Sequence, residues 1–183
     1  MPKADEVLRE IERMARTKFL PIVGADKGSI LADTIRDVNP KRVLEVGTLI
    51  GYSAIIMGKE LGRTVQITTI EIHADEAKAA EENIARAEIA PKVNVITGDA
   101  LQVIPKLRGR FDAVFIDAEK TEYMDYLRLA EPKLHKGTVV VADNAGIFAD
   151  QMRDYLTYVR ASGKYSSKFV PVDEDGLEIS VKL

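Results

Sequence analysis

The chain has 183 residues, with 26 Lys and Arg against 29 Asp and Glu and a formal net charge of −3. That length fits one domain, expected over residues 1–183, and the mild acidity argues against a general polyanion binder, so nucleic acid is not an expected partner. There is no cysteine, which excludes disulfides, thiolate metal sites and a cysteine nucleophile.

The chain opens on "MPKADEVLREIERMAR", which is charged throughout and does not read as a secretory leader. No apolar run approaches the roughly 20 residues of a membrane helix. A cytoplasmic protein without a membrane partner is expected. Val7, Leu8, Ile11, Met14 and Ala15 recur at helical spacing, and this first helix breaks at Pro21 and Gly24 of "FLPIVG". A second helix is expected over "KGSILADTIRDV", stopping before Pro40. Residues 1–40 are thus expected to be helical, ahead of a core over 41–183.

From Arg42 onward strands and helices alternate. "RVLEVG", "VQITTIEI", "KVNVIT", "FDAVFID" and "TVVVAD" read as strands. "YSAIIMGKEL", "ADEAKAAEENIARAEI", "ALQVIPKL", "EYMDYLRLAEPKL" and "ADQMRDYLTYVRAS" read as helices. Five such units imply an α/β fold, a doubly wound, mostly parallel sheet covered on both faces. The tail "KFVPVDEDGLEISVKL" reads as a hairpin that adds antiparallel edge strands.

In open α/β sheets, ligands bind beyond the carboxyl ends of the strands. The polar residues stand there. Glu45 and Gly47 close the first strand and Glu71 the second; Asp99 follows the third; Asp117 closes the fourth, and Asp143 and Asn144 the fifth. The plainer reading is that acids start loops and cap helices.

Gly47 and Gly51 let the backbone turn tightly and approach a ligand. Glu71 follows Gly51 by 20 residues, the position of an acid that accepts ribose hydroxyls. The glycines read G-x-x-x-G rather than G-x-G-x-x-G, and Glu45 would repel a pyrophosphate. Glu45 would instead suit a cofactor carrying an ammonium, as S-adenosylmethionine does.

Asp117, Asp143 and Asn144 are hard oxygen donors that suit Mg²⁺, with water and substrate oxygens completing an octahedron. The alternative has Asp143 and Asn144 capping the next helix and Asp117 paired with Lys120. Spacing alone leaves the two open. His73 reads as a loop residue and His135 as a structural cation at a helix end. Phe19, Tyr123 and Phe148 flank site segments and read equally as pocket wall or core.

"VGADKGSIL", "VLEVGTLIGYSA", "TTIEI", "FDAVFIDAEK", "GTVVVADN" and the terminal "DGLEISVKL" resemble the cation-dependent O-methyltransferases, the class I methyltransferases that include catechol and caffeoyl-CoA O-methyltransferases. The resemblance implies a Rossmann-like fold with a seven-stranded sheet and an antiparallel last strand. It implies Mg²⁺ (or another divalent cation) on Asp117, Asp143 and Asn144, with Lys120 as catalytic base beside Asp117. It places Val23, Glu45, Gly47, Gly51, Ser53, Glu71, Asp99, Ala100 and Asp117 around S-adenosylmethionine. It further implies a small-molecule acceptor with a hydroxyl beside a second oxygen, and a homodimer. Two positions depart from the catechol enzymes. Glu119 stands where they have an aromatic gatekeeper, and apolar Phe169 stands near the place where they carry a carboxylate that holds the substrate hydroxyl. The rival readings are a methyltransferase of RNA or protein, a nicotinamide-dependent oxidoreductase, and a cofactor-binding protein without chemistry.

Overall fold

A computed structural model describes residues 3–183. The chain begins with helices α1 (Lys3–Thr17) and α2 (Ala25–Val38). Strands and helices then alternate: β1 (Arg42–Val46), α3 (Tyr52–Lys59), β2 (Gln66–Glu71), α4 (Ala74–Ala87), β3 (Lys92–Thr97), α5 (Ala100–Val103), β4 (Phe111–Ile116), α6 (Tyr123–Ala130), β5 (Leu134–Ala142) and α7 (Arg153–Ala161). A hairpin of β6 (Tyr165–Val172) and β7 (Asp175–Lys182) ends the chain. The seven strands form one sheet in the order β3-β2-β1-β4-β5-β7-β6.

The strands are apolar on both sides because helices cover both faces, and alternate residues feed separate cores. Val43, Ala113, Phe115, Val139 and Val141 point into the core under α1 to α3. Leu44, Val114, Ile116, Val140 and Ala142 point into the opposite core, under α5 to α7. A one-residue slip in any strand would exchange these faces, so the apolar pattern fixes the register.

Register decides where the site forms. Val46, Ile70, Ile116 and Ala142 lie level at the ends of β1, β2, β4 and β5. The ladder continues one residue further: Gly47 N donates to Ile70 O, Asp117 N to Val46 O, and Asp143 N to Ile116 O. Asp117 and Asp143 are therefore pinned by the sheet itself. β1 lies between β2 and β4, so the chain reverses its order at that point and a crevice opens above it.

Three expectations need correction. The two hairpin strands do not both run antiparallel at the edge. β7 is inserted between β5 and β6 and runs antiparallel to both, so the edge strand β6 is parallel to β1–β5. The helix expected over 149–162 starts only at Arg153, because residues 143–152 form successive turns. The helix expected through Leu134 ends at Ala130; a 3₁₀ turn over Glu131–Lys133 follows, and His135 lies in β5. There His135 Nε2 pairs with Asp112 Oδ1 at 2.8 Å, at the opposite end of the sheet from the crevice.

α1 buries Ala4, Val7, Leu8 and Ile11 within the core it shares with α2 and α3. No helix among the described residues is long and apolar enough to cross a membrane.

Candidate active site

A cavity of about 820 Å³ opens over the carboxyl ends of the strands. Its lining includes Val23, Gly47, Ser53, Glu71, Asp99, Ala100, Asp117, Lys120, Asp143 and Asn144, drawn together from five strand ends and the segment before α2.

The cofactor end is built by the loop from Gly47 to Gly51. Gly47 has φ +94°, and a Cβ there would come within 2.0 Å of the Asp117 carbonyl oxygen. Only glycine fits so close an approach in that conformation. Leu49 also has positive φ, at 49°. Glu71 holds this turn in place: Oε2 accepts from Leu49 N at 2.8 Å and Oε1 from His73 N at 2.9 Å. A carboxylate offers about four lone-pair positions, so both oxygens can still accept a ligand hydroxyl. Thr48 and Thr69 bond to one another beneath the loop. Asp99 Oδ1 accepts from Leu101 N at 2.8 Å, capping α5 while lining the cavity.

Two expected cofactor residues lie behind the lining. Gly51, with φ +88°, lets the start of α3 approach the Ala80 backbone, 3.3 Å from where a Cβ would stand. Glu45 is 0% exposed and cannot meet an ammonium directly. Its Oε1 accepts from Ser53 Oγ at 2.5 Å, and its Oε2 has no partner among the described residues. It therefore positions Ser53, which does line the cavity. Burial pushes the Glu45 carboxyl up to about 7, against the pull of the Ser53 hydroxyl.

The reacting end is denser. Lys120 Nζ lies 2.9 Å from Asp117 Oδ1 and 3.0 Å from Tyr123 Oη. Tyr123 is wholly buried, and its hydroxyl donates to Asp143 O at 3.2 Å. The ring is core; the hydroxyl ties the lysine to the end of β5. Asp143 is 1% exposed. Burial first, and then the charge of Asp117, push its carboxyl up to about 6, although the Lys27 ammonium pulls the other way.

Capping does not explain Asp143 and Asn144. The next helix begins at Arg153, and Asn144 takes φ 60° in the turn between. The pairing half of that alternative does hold, since Asp117 binds Lys120.

The acids fit a cation better than a phosphate. Asp117 and Asp143 repel one another across the cavity. Asn144 Nδ2 donates to Asp175 Oδ2 at 2.8 Å, which turns the amide so that Oδ1 is left without a partner among the described residues. Two carboxylates and an amide oxygen are the donor set of Mg²⁺ with water positions to spare. A second group, Glu71, His73 and Glu76, brings ligand atoms within 4.8 Å of each other, but Glu71 is already engaged with the loop amides.

The outer wall differs from ring to acid. Phe19 is 96% exposed at the mouth, and Phe148 and Tyr126 line the interior. Glu119 lines the cavity beside Lys120, with Oε1 accepting from Thr121 Oγ1 at 3.2 Å. Phe169 is absent from the lining and packs over Gly176, where a Cβ would meet its ring at 2.6 Å. Lys27 and Asp175 have site contacts that sequence reasoning gave no role, and Tyr123, read as pocket wall or core, contributes its hydroxyl. "ADKG" and "DGL" marked the first two only as parts of a resemblance.

A doubly wound sheet with a glycine-turn cradle beside an acidic, lysine-bearing centre defines a Rossmann-like group-transfer fold. The chain belongs to the O-methyltransferase family, whose model matches residues 2–154. It is 37% identical over 174 residues to catechol O-methyltransferase B of Danio rerio, covering 88% of this chain and 65% of that protein. The O-methyltransferase of tomaymycin synthesis from Streptomyces achromogenes, solved in complex with SAM, superposes with a TM-score of 0.87 at 25% identity, over 97% of this chain and 89% of that one. The Bacillus cereus O-methyltransferase, solved in complex with SAH, gives 0.86 at 26% identity, over 97% and 91%.

Proposed function

We propose that the protein transfers a methyl group from S-adenosylmethionine to a hydroxyl oxygen of a small molecule that carries a second oxygen next to it. The observation that supports this most is the shared cavity. Asp117, Asp143, Asn144 and Lys120 face the same space as the Gly47 turn, Ser53 and Glu71. S-adenosylmethionine would supply the methyl, and a divalent cation on Asp117, Asp143 and Asn144 would lower the pKa of the acceptor hydroxyl.

The chain's own residues then have distinct tasks. Glu71 receives the ribose hydroxyls while it holds the turn. Ser53, set by Glu45, meets the amino-acid end of the cofactor. Lys120, oriented by Asp117 and Tyr123, takes the proton from the acceptor hydroxyl as it attacks. The buried walls hold acceptor and donor in line and keep water out, which contributes much of the rate. With Glu119 at the mouth and no carboxylate at Phe169, the acceptor's second contact must come from other groups than in the catechol enzymes. Homodimer formation and a cytoplasmic setting are part of the proposal on family likeness. A dimer would use a surface other than the apolar face of α1, which is buried within the chain.

The test is methyl uptake by a panel of vicinal diols and phenols, with and without Mg²⁺. Activity is expected to vanish in excess EDTA and return with Mg²⁺. Asp143→Ala is expected to stop turnover with S-adenosylmethionine still bound. Lys120→Ala is expected to slow transfer by roughly 10²–10⁴-fold with metal and cofactor retained. Full rate in excess EDTA would refute the metal-assisted reading. Methylation confined to RNA or protein would move the enzyme to the rival class.

A further inference from the structure

Lys27 reaches the reacting end from α2, 116 residues from Asp143 and 148 from Asp175 in sequence. Its Nζ lies 2.5 Å from Asp143 Oδ1 and 2.8 Å from Asp175 Oδ2, and its side chain is 13% exposed. Asp175, at the start of β7, makes three further contacts. Its Oδ2 accepts from Asn144 Nδ2 at 2.8 Å, and its Oδ1 from Gly146 N and Ile147 N, both at 3.2 Å. Four hydrogen bonds use up the acceptor positions of this carboxylate. Asp175 therefore has nothing left with which to bind a metal.

The oxygens left over are informative. Asp143 Oδ1 accepts from Lys27 and, at 2.6 Å, from Asn144 N. Its Oδ2 has no hydrogen bond among the described residues, on a side chain that lines the cavity. Asn144 Oδ1 is likewise unused, because only the amide nitrogen can donate to Asp175. Lys27 and Asp175 thus consume one side of each group and leave one oxygen of each for the cavity.

We propose that Lys27 and Asp175 form a bracket that positions Asp143 and Asn144 as ligands of the divalent cation. They are positioning residues and touch neither cation nor substrate. The bracket also ties α2, and with it the cavity-lining segment Phe19–Val23, to the ends of β5 and β7. This inference rests on the metal-assisted reading above.

Position and charge act in opposite directions, and the test separates them. Lys27→Met alone removes a positive charge near a cation site and would favour the cation electrostatically. The charge-balanced pair Lys27→Met with Asp175→Asn leaves the local net charge as it was and removes only the bracket. The measurement is Mn²⁺ binding, by calorimetry and by the electron paramagnetic resonance of free Mn²⁺, in protein saturated with S-adenosylhomocysteine. The wild type is expected to bind one Mn²⁺, and the double variant to bind it roughly 10–100-fold more weakly, the usual loss when groups supporting a metal ligand are removed. Both should still bind S-adenosylhomocysteine, so that Mn²⁺ is measured on saturated protein. In turnover, the double variant should need more Mg²⁺ for half-activation and regain most of its rate at saturating Mg²⁺, which a general folding defect would not permit.

If the double variant fails to fold, Lys27→Met alone is expected to bind Mn²⁺ more weakly than the wild type although its lost positive charge favours the cation. Wild-type affinity in the folded variants would overturn the bracket while leaving the metal site intact. No Mn²⁺ binding by the wild type would overturn the metal reading, and the bracket with it.

Discussion

Glu45 shows how one buried carboxyl can act through a neighbour. It is sealed under Ser53, and burial raises its carboxyl to about 7 from the usual 4.5. A group whose pKa is raised on folding contributes stability that is present below its unfolded value and lost as pH rises through the folded one. The wild type should therefore lose stability between about pH 4.5 and pH 7 through this residue. Glu45→Gln removes the ionisation and keeps an oxygen for Ser53. Its unfolding free energy is expected to fall less than the wild type's between pH 5 and pH 8, by about 1–3 kcal/mol. Urea unfolding at both pH values measures this. Equal pH dependence in the two proteins would mean that Glu45 stays ionised throughout.

At the scale of elements, the tightest point is where the turn after β1 passes the end of β4. Gly47 sits there with positive φ, against the Asp117 carbonyl. Gly47→Ala adds a strained conformation to a backbone clash, and an expected loss of about 2–3 kcal/mol in urea unfolding follows. The same change should abolish S-adenosylhomocysteine binding in calorimetry, because the turn must lift into the cofactor space. Both effects trace to one contact between β1 and β4, which are neighbours in the sheet. β1–β5 were legible because each is a short apolar run that ends on a polar residue, and those ends line the cavity. The 5-7-6 order was not legible, since hairpin strands carry no local mark of which one meets β5. Capping by Asp143 and Asn144 stayed open in the sequence because the following helix was expected from Ala149, close enough to be capped, whereas it starts only at Arg153. Lys27 and Asp175 escaped because only the fold brings the start of α2 to the start of β7.

At the scale of the molecule, the hairpin is fastened by a buried ion pair. Glu178 is 0% exposed in β7, opposite Ala142. Arg160 of α7 meets it with Nε at 2.9 Å and Nη2 at 2.6 Å, and Ser167 Oγ of β6 donates to it at 2.6 Å. Arg160→Ala leaves a buried carboxylate with one remaining partner. The expected cost is about 2–4 kcal/mol, below the roughly 3–5 of a fully enclosed pair because Arg160 is half exposed. Urea unfolding checks it, and an unchanged midpoint would show that β7 is held by its ladder alone.

The insertion of β7 between β5 and β6 also sets an order of events. A chain emerging from synthesis has the turn after β1, β2 and β3 before its hundredth residue, yet Asp175 follows only after six strands. Until then β6 has no neighbour in the sheet, because β7 is its sole partner there. The two-residue turn at 173–174 lets β6 and β7 close on each other first and dock as a unit. That docking delivers Asp175 to Lys27 and Asn144. Because β7 follows the other six strands in sequence, Asp143 and Asn144 should gain their bracket only once the hairpin has docked.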